Sequence, residues 1–257
     1  MRVICITQAR LGSSRLPEKV LKSVFGRSLL DYHCSRVSTA KIVDTHIVAT
    51  TDTDLDKTLV EHIKTLDIRP APQVFCGSEH NVLDRFYQAA IQANATEHDV
   101  IVRLTGDCPL ICPGLIDEVV AQHMTHNPTG YTHLSLGYWA RGFDVEVFGM
   151  PILTDTWLNA SEPPELEHVT FYMYSRPQSY PIMSVENGHV DYSQLRLCID
   201  EPDDLTMFDT LMQTLGEELA QMSAVEICQA LLAHPEIAQI NQHVEQIIPS
   251  SLDEEIV

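Results

Sequence analysis

The segment Gln8-Ala9-Arg10-Leu11-Gly12-Ser13-Ser14-Arg15-Leu16-Pro17-Glu18-Lys19-Val20-Leu21 concentrates positive charge in a chain that has little of it. Arg10, Arg15, Lys19 and Lys22 fall within thirteen residues, with Glu18 the only acid among them, although the protein carries 16 Lys and Arg against 36 Asp and Glu. Gly and Ser let backbone N–H groups turn toward an anion, while Arg and Lys neutralise its charge. The ligand this suits is a polyphosphate; the plain alternative is a solvated basic turn.

Two carboxylates stand where apolar runs end: Asp107 after Val100-Ile101-Val102-Arg103-Leu104-Thr105-Gly106, and Asp200 after Leu195-Arg196-Leu197-Cys198-Ile199. On neighbouring strands they would share one hard divalent cation, with substrate phosphate and water completing its octahedron. Taken singly, Asp107 also suits a turn or cap, and Asp200 a helix cap ahead of Pro202, with Asp203 and Asp204 complementing the helix dipole. Asp144 and Glu146 alternate onto one strand face, opposite Phe143, Val145 and Val147. One strand cannot flank a scissile bond, so the pair suits sugar hydroxyls or Arg141 better than glycosidase chemistry. His168, beside Val169 and Phe171, reads equally as a core histidine and as a substrate contact. Cys108-x3-Cys112 lacks the second pair or histidines that zinc spacing requires.

These residues need a scaffold that gathers them. Apolar runs at 3–6, 45–50, 74–75 and 100–104 predict strands. Between them, helical spacing predicts helices over 29–37, along Leu55, Leu59, Ile63 and Leu66, over 82–93, and from Pro113. This βαβ rhythm means an α/β fold with a mostly parallel sheet covered on both faces. Beyond about residue 130 the rhythm changes, with strands expected at 132–136, 143–148, 179–185 and 195–199. Helices are expected at 164–174, from Pro202 with Leu205, Phe208 and Leu211 inward, and at 224–232. One domain is expected over 1–257: a first half (1–129), a second lobe (130–200), and C-terminal helices with a tail (201–257). The last fifteen or so residues read as a docking or disordered tail. Ligands in open α/β sheets bind beyond the carboxyl ends of the strands, which selects loops 8–19, 50–54, 76–81, 105–112 and 200–204.

The formal net charge of −20 argues against nucleic acid and anionic membranes as partners. Seven cysteines, an odd number without framework spacing, read as reduced, several of them as small core residues in apolar runs. Met1-Arg2 leads directly into the first apolar run and no run reaches membrane-spanning length, so a cytoplasmic protein is expected. A homodimer is compatible with this reading.

The segments 8–21, 106–111 and 199–205 occur in order with Phe75-Cys76-Gly77-Ser78-Glu79-His80-Asn81-Val82-Leu83-Asp84-Arg85, Gly142-Phe143-Asp144-Val145-Glu146-Val147-Phe148 and Glu167-His168-Val169-Thr170-Phe171-Tyr172. With this set the chain resembles, up to about residue 215, the cytidylyltransferase-like family of spore-coat polysaccharide biosynthesis proteins. These are relatives of the acylneuraminate and keto-deoxy-octulosonate cytidylyltransferases, which make CMP-activated sugar acids. The resemblance implies a nucleotide-diphospho-sugar transferase fold, a three-layer α/β/α sandwich with a mixed, mostly parallel sheet. It implies CTP as donor, a sugar acid as acceptor, pyrophosphate as product and Mg²⁺ as cofactor. Ala9, Arg10, Gly12, Ser13, Arg15 and Lys19 would hold the triphosphate, and Gly77, Ser78, Asp84 and Arg85 the nucleoside. Asp107 and Asp200 would hold the metal, and Asp144, Glu146 and His168 would face the sugar. Arg10, Lys19 and Asp107 would carry the catalysis. Glu18 departs from the family's usual Gly, Cys112 from a common Asp and Phe171 from a usual Pro. A glycosyltransferase of the same fold would usually show Asp-x-Asp where this chain has Asp107-Cys108-Pro109. A non-catalytic nucleotide-binding subunit is the remaining alternative.

Overall fold

Val3–Gln8 (β1) is buried along nearly its whole length, as a central strand of a sheet covered on both faces must be. The computed structural model describes residues 1–188 and 190–245, so the expected tail lies almost wholly outside the described residues. After β1 come a small hairpin, Ser23–Val24 (β2) with Arg27–Ser28 (β3), then Leu29–Val37 (α1), Thr45–Thr51 (β4), Lys57–Thr65 (α2), Gln73–Gly77 (β5), Val82–Gln92 (α3), Val100–Thr105 (β6) and Pro113–His126 (α4). The second half contributes Tyr131–Leu134 (β7), Glu146–Gly149 (β8), Met150–Asn159 (α5), Pro163–Glu167 (α6), Phe171–Tyr174 (α7), Ile182–Val185 (β9), Pro202–Leu215 (α8), Ala224–Ala233 (α9) and Pro235–Ala238 (α10).

The main sheet has seven strands in the order β5-β4-β1-β6-β8-β7-β9, and β8 alone among them runs against its neighbours. Alternation along each strand sorts its side chains between two layers. Val3, Cys5, Val100, Val102 and Val147 pack with Tyr32, Ile116, Phe208 and Ile227 under α1, α4, α8 and α9. Ile4, Ile6, Ile101 and Phe148 pack on the other face with Phe86, Leu153 and Met173, from α3, α5 and α7. This is an α/β/α sandwich. Helix starts follow from their caps: Ser28 accepts from the Asp31 amide, Asn81 from the Asp84 amide, and Pro202 occupies the first turn of α8.

Several expectations need correction. The helix expected from Leu55 begins at Lys57, after Asp56, and Leu55 is half exposed. In 143–148, pairing starts only at Glu146, because the chain first turns through Gly142 at φ +107. A Cβ on Gly142 would lie 2.6 Å from the Cys198 amide nitrogen, so that close approach requires glycine. Residues 195–199 are extended but make a single bridge, Arg141 with Arg196, rather than a ladder. The helix expected over 164–174 breaks at His168 into α6 and α7, and the Phe171 amide donates to the His168 carbonyl at 2.6 Å. Helix α5 was not foreseen, and Cys76 is exposed whereas the other six cysteines are buried.

Glu18 adopts a left-handed conformation (φ 55, ψ 26) ahead of a single 3₁₀ turn, Lys19–Leu21. That region costs an L-residue roughly 1–2 kcal/mol, a strain that glycine escapes while losing some chain entropy. Glu18→Gly is therefore expected to stabilise the fold by about 0.5–1 kcal/mol in urea denaturation. An unchanged or lowered midpoint would show that the Glu18 side chain compensates the strain.

Candidate active site

The basic loop is anchored from 45 residues away. Asp56, 1% exposed, accepts from the Leu11 amide at 2.8 Å and from the Thr50 hydroxyl and Thr51 amide at 2.9 and 3.1 Å. The Glu18 amide closes the loop on the Leu11 carbonyl at 3.1 Å. Ala9 is buried against β4, Ser13 is half-buried and Arg10 is exposed. Loop 76–81 faces this one: a Cβ on Gly12 would stand 4.0 Å from Glu79 Oε1. Arg85 is buried on α3, donates to the Ser78 carbonyl at 2.7 Å and leaves its Nε unpartnered among the described residues. Burial, then the nearby Arg10 charge, lowers its pKa. Asp84 accepts from Trp157 Nε1 at 2.9 Å and so ties α3 to α5, and Gly77 packs against Phe75 and Arg85.

The two expected metal carboxylates meet. Lys19 Nζ donates to Asp107 Oδ2 at 2.6 Å and to Asp200 Oδ1 at 2.7 Å, so the two oxygens are no further apart than those distances combined. The backbones are joined as well, since the Ile199 amide donates to the Asp107 carbonyl at 2.8 Å. Asp200 thus reaches Asp107 from an extended segment lying along the loop after β6, not from a neighbouring sheet strand as expected. Burial works to raise the Asp107 carboxyl, but Lys19's charge and hydrogen bond outweigh it and bring it from 3.8 down to about 2. Burial alone would lower Lys19, yet the two carboxylates raise it.

Behind Asp200 lies a brace. Arg196 Nη2 donates to Asp200 Oδ2 at 3.0 Å, and Arg196 Nε donates to Asp204 Oδ1 at 2.9 Å. Asp204, fully buried, also accepts from the Asp200 and Glu201 amides and from Asn241 Nδ2 at 2.8 Å. Arg15 reaches Asp200 Oδ2 at 3.5 Å and Glu201 Oε1 at 3.2 Å. Asp107's loop is held separately. His33 Nδ1 lies 2.9 Å from the Cys108 carbonyl, which only accepts, so that nitrogen carries the proton. His33 Nε2 therefore accepts from the Thr7 hydroxyl at 2.8 Å, and the Thr7 oxygen accepts from His46 Nε2 at 2.9 Å.

A cavity of about 540 Å³ opens beside the carboxylate pair, and Arg15, Asp107, Asp144, Glu146, His168 and Asp200 all line it. Arg10, Gly12, Gly77, Ser78, Asp84 and Arg85 do not line it and lie around the two facing loops. Asp144 pairs with Arg141 at 3.4 Å and caps the Gly142 amide. Glu146 is engaged by Arg103, by the Tyr131 hydroxyl and by the Thr170 hydroxyl at 2.6 Å. It therefore shapes the wall by fixing Arg103. Burial lowers the pKa of half-buried His168. Sequence reasoning missed Arg103, although a charge inside an apolar strand was a readable signal. It also missed Asp56, Tyr131 and Thr170, which carry no local signature, and saw Asp204 only as a charge at a helix start.

Asp107 and Asp200 are hard oxygen donors converging on one cationic atom, and such a pair fits Mg²⁺, which takes one or two carboxylates together with substrate phosphate. Among the described residues no group of three or more His, Cys, Asp and Glu side chains converges on one point. No helix among the described residues is long and apolar enough to cross a membrane.

The cytidylyltransferase family profile matches residues 4–232. An uncharacterized protein of Methanocaldococcus jannaschii is 35% identical over 247 residues, covering 96% of this chain and 97% of its own. The spore coat polysaccharide biosynthesis protein SpsF of Bacillus subtilis is 34% identical over 242 residues, covering 92% and 96%. Among solved structures, a cytidylyltransferase from Leptospira borgpetersenii superposes with a TM-score of 0.84 at 27% identity, covering 97% of this chain and all of that one. The CTP complex of CMP:2-keto-3-deoxy-manno-octonic acid synthetase shares the fold, with a TM-score of 0.61 at 16% identity over 83% of this chain and 99% of that one.

Proposed function

Because this chain belongs to the cytidylyltransferase family, we propose that it transfers CMP from CTP to a sugar acid and releases pyrophosphate. The observation that carries this reading is the convergence of Asp107 and Asp200 on one cation beside a cavity large enough for a small substrate. A sugar hydroxyl attacks the α-phosphorus, forming the new O–P bond as the bond to the β-phosphate oxygen breaks. The hydroxyl proton leaves to solvent and pyrophosphate departs. The protein's part is positioning and charge stabilisation. Arg10, Arg15 and Lys19 bind the phosphate charge. Asp107 and Asp200 would hold Mg²⁺, which would neutralise phosphate charge and acidify a nearby hydroxyl. Arg141, Asp144 and His168 line the side of the cavity formed by the second half of the chain, and that half sets the acceptor. Glu146, held by three partners, keeps Arg103 and Tyr131 rigid there.

Incubation with CTP, Mg²⁺ and a panel of sugar acids should release pyrophosphate in step with CMP-sugar, and only when a cognate acid is present. Transfer of a sugar from a nucleotide-sugar without pyrophosphate would make the protein a glycosyltransferase instead. Tight CTP binding with no turnover on any acid would leave a nucleotide-binding subunit.

A further inference from the structure

The ammonium of Lys19 stands where the two carboxylates would present their oxygens to a metal. It lies 2.6 Å from Asp107 Oδ2 and 2.7 Å from Asp200 Oδ1. A Mg²⁺ ion sits about 2.1 Å from each carboxylate oxygen, so it would claim nearly the same volume. Two cations cannot share that space, and the approach of a second is opposed by repulsion at close range. The contact is also enclosed: the Lys19 side chain is 13% exposed, and those of Asp107 and Asp200 are 21% and 12% exposed. Lys19 nevertheless has a means of leaving. It sits in the single 3₁₀ turn of the basic loop, on a flexible four-carbon stem, and that loop is the one read above as the polyphosphate site.

We propose that Lys19 is the resident counter-cation of the carboxylate pair in the free protein, and that nucleotide phosphates draw it away and so open the pair to a divalent cation. The proposal rests on the nucleotidyltransferase reading for its trigger, the triphosphate, and on the structure for the exclusion. Three consequences follow from the exchange. Metal alone binds the free protein weakly. Nucleotide and metal bind cooperatively, each raising the other's affinity by the same factor. Asp107 is also never left without a cation, because one departs as the other arrives, while Asp200 keeps Arg196 throughout.

Mn²⁺ serves as the probe, its free concentration followed by electron paramagnetic resonance without nucleotide. Wild-type protein should bind Mn²⁺ weakly. Lys19→Met and Lys19→Gln should each bind it roughly tenfold to a hundredfold more tightly, the range expected when a charge-assisted competitor is removed. Lys22→Met, which removes a loop cation outside the pair, should match wild type. Adding Asp107→Asn to Lys19→Met should abolish the gain, placing the ion at this pair. Equal Mn²⁺ affinity in wild type and in both folded Lys19 variants overturns the proposal. CTP titrated in EDTA separates the two readings: weaker binding by the Lys19 variants supports the phosphate contact that triggers the exchange. Absence of CTP binding in wild type overturns the nucleotide site itself, whatever the Mn²⁺ result.

Discussion

Asp107→Asn and Asp200→Asn are each expected to lower turnover by roughly a hundredfold to a thousandfold, the usual cost of deleting one preorganised electrostatic group from a site that stabilises developing charge. The amide keeps the carboxylate's shape and one acceptor oxygen but loses its charge. Lys19 would retain one charged partner in either variant, and Arg196 keeps Asp204 when Asp200 is changed, so the fold should survive. The two carboxylates converge on one point, and the double variant should be scarcely worse than either single. Pyrophosphate release reports turnover, and urea denaturation shows that the loss is not unfolding. Full Mg²⁺-dependent activity in either variant, or losses that multiply, would mean that the two aspartates act apart.

Acid should weaken the fold well before the carboxylates protonate. Burial holds His33 at about 4 and His46 at about 3, against 6.5 when exposed, and His123 is likewise held at about 4. These folded values lie below the unfolded one, so between them the unfolded chain binds more protons. Stability is then complete above pH 6.5 and declines as the pH falls through 6.5 toward 4 and 3. The depressions are worth roughly 3–5 kcal/mol each at their limits, and the loss between pH 7 and 4.5 should reach several kcal/mol. Below pH 4 the carboxyl of Asp99, lowered to about 2 against the opposing pull of burial, adds a second decline with Asp107. Urea midpoints at pH 7, 5.5 and 4.5 measure the slope. His46→Gln retains a donor for the Thr7 oxygen but does not titrate, so it should flatten the slope. A wild-type midpoint constant across that range would contradict the neutral His33–Thr7–His46 relay.

The central strands were legible because burial on both faces leaves an unbroken apolar run, as in Val3-Ile4-Cys5-Ile6 and Val100-Ile101-Val102. The same composition misleads at 195–199. Leu197 and Ile199 are fully buried, but under the loops and α8 rather than within a ladder, and an apolar run reports burial without reporting pairing. The basic loop stood out by contrast with an acidic chain, and Asp107 and Asp200 by ending their runs. That the two would approach each other was expected, but Lys19 standing between them was not legible, nor was the extended, unladdered segment that brings Asp200 there. Nor was Asp56, whose role rests on contacts with Leu11, Thr50 and Thr51 that no local pattern announces. Glu18 shows the opposite case: the resemblance implies glycine there, and the backbone takes a conformation that glycine favours.

The brace behind Asp200 sets an order of events during synthesis. Asn241 donates to Asp204 Oδ1 and to the Arg196 carbonyl, and it is itself 1% exposed. Ribosomes add roughly 5–20 residues per second, so the chain elongates for some seconds between Asp200 and this last support. Until then Asp204 lacks one of its donors, and the segment carrying Asp200 has only part of its scaffold. A nascent chain that has folded its first half, basic loop included, therefore holds an incomplete site. The support for Asp200 is thus completed from nearly the last of the described residues, far along the chain from the carboxylate it steadies.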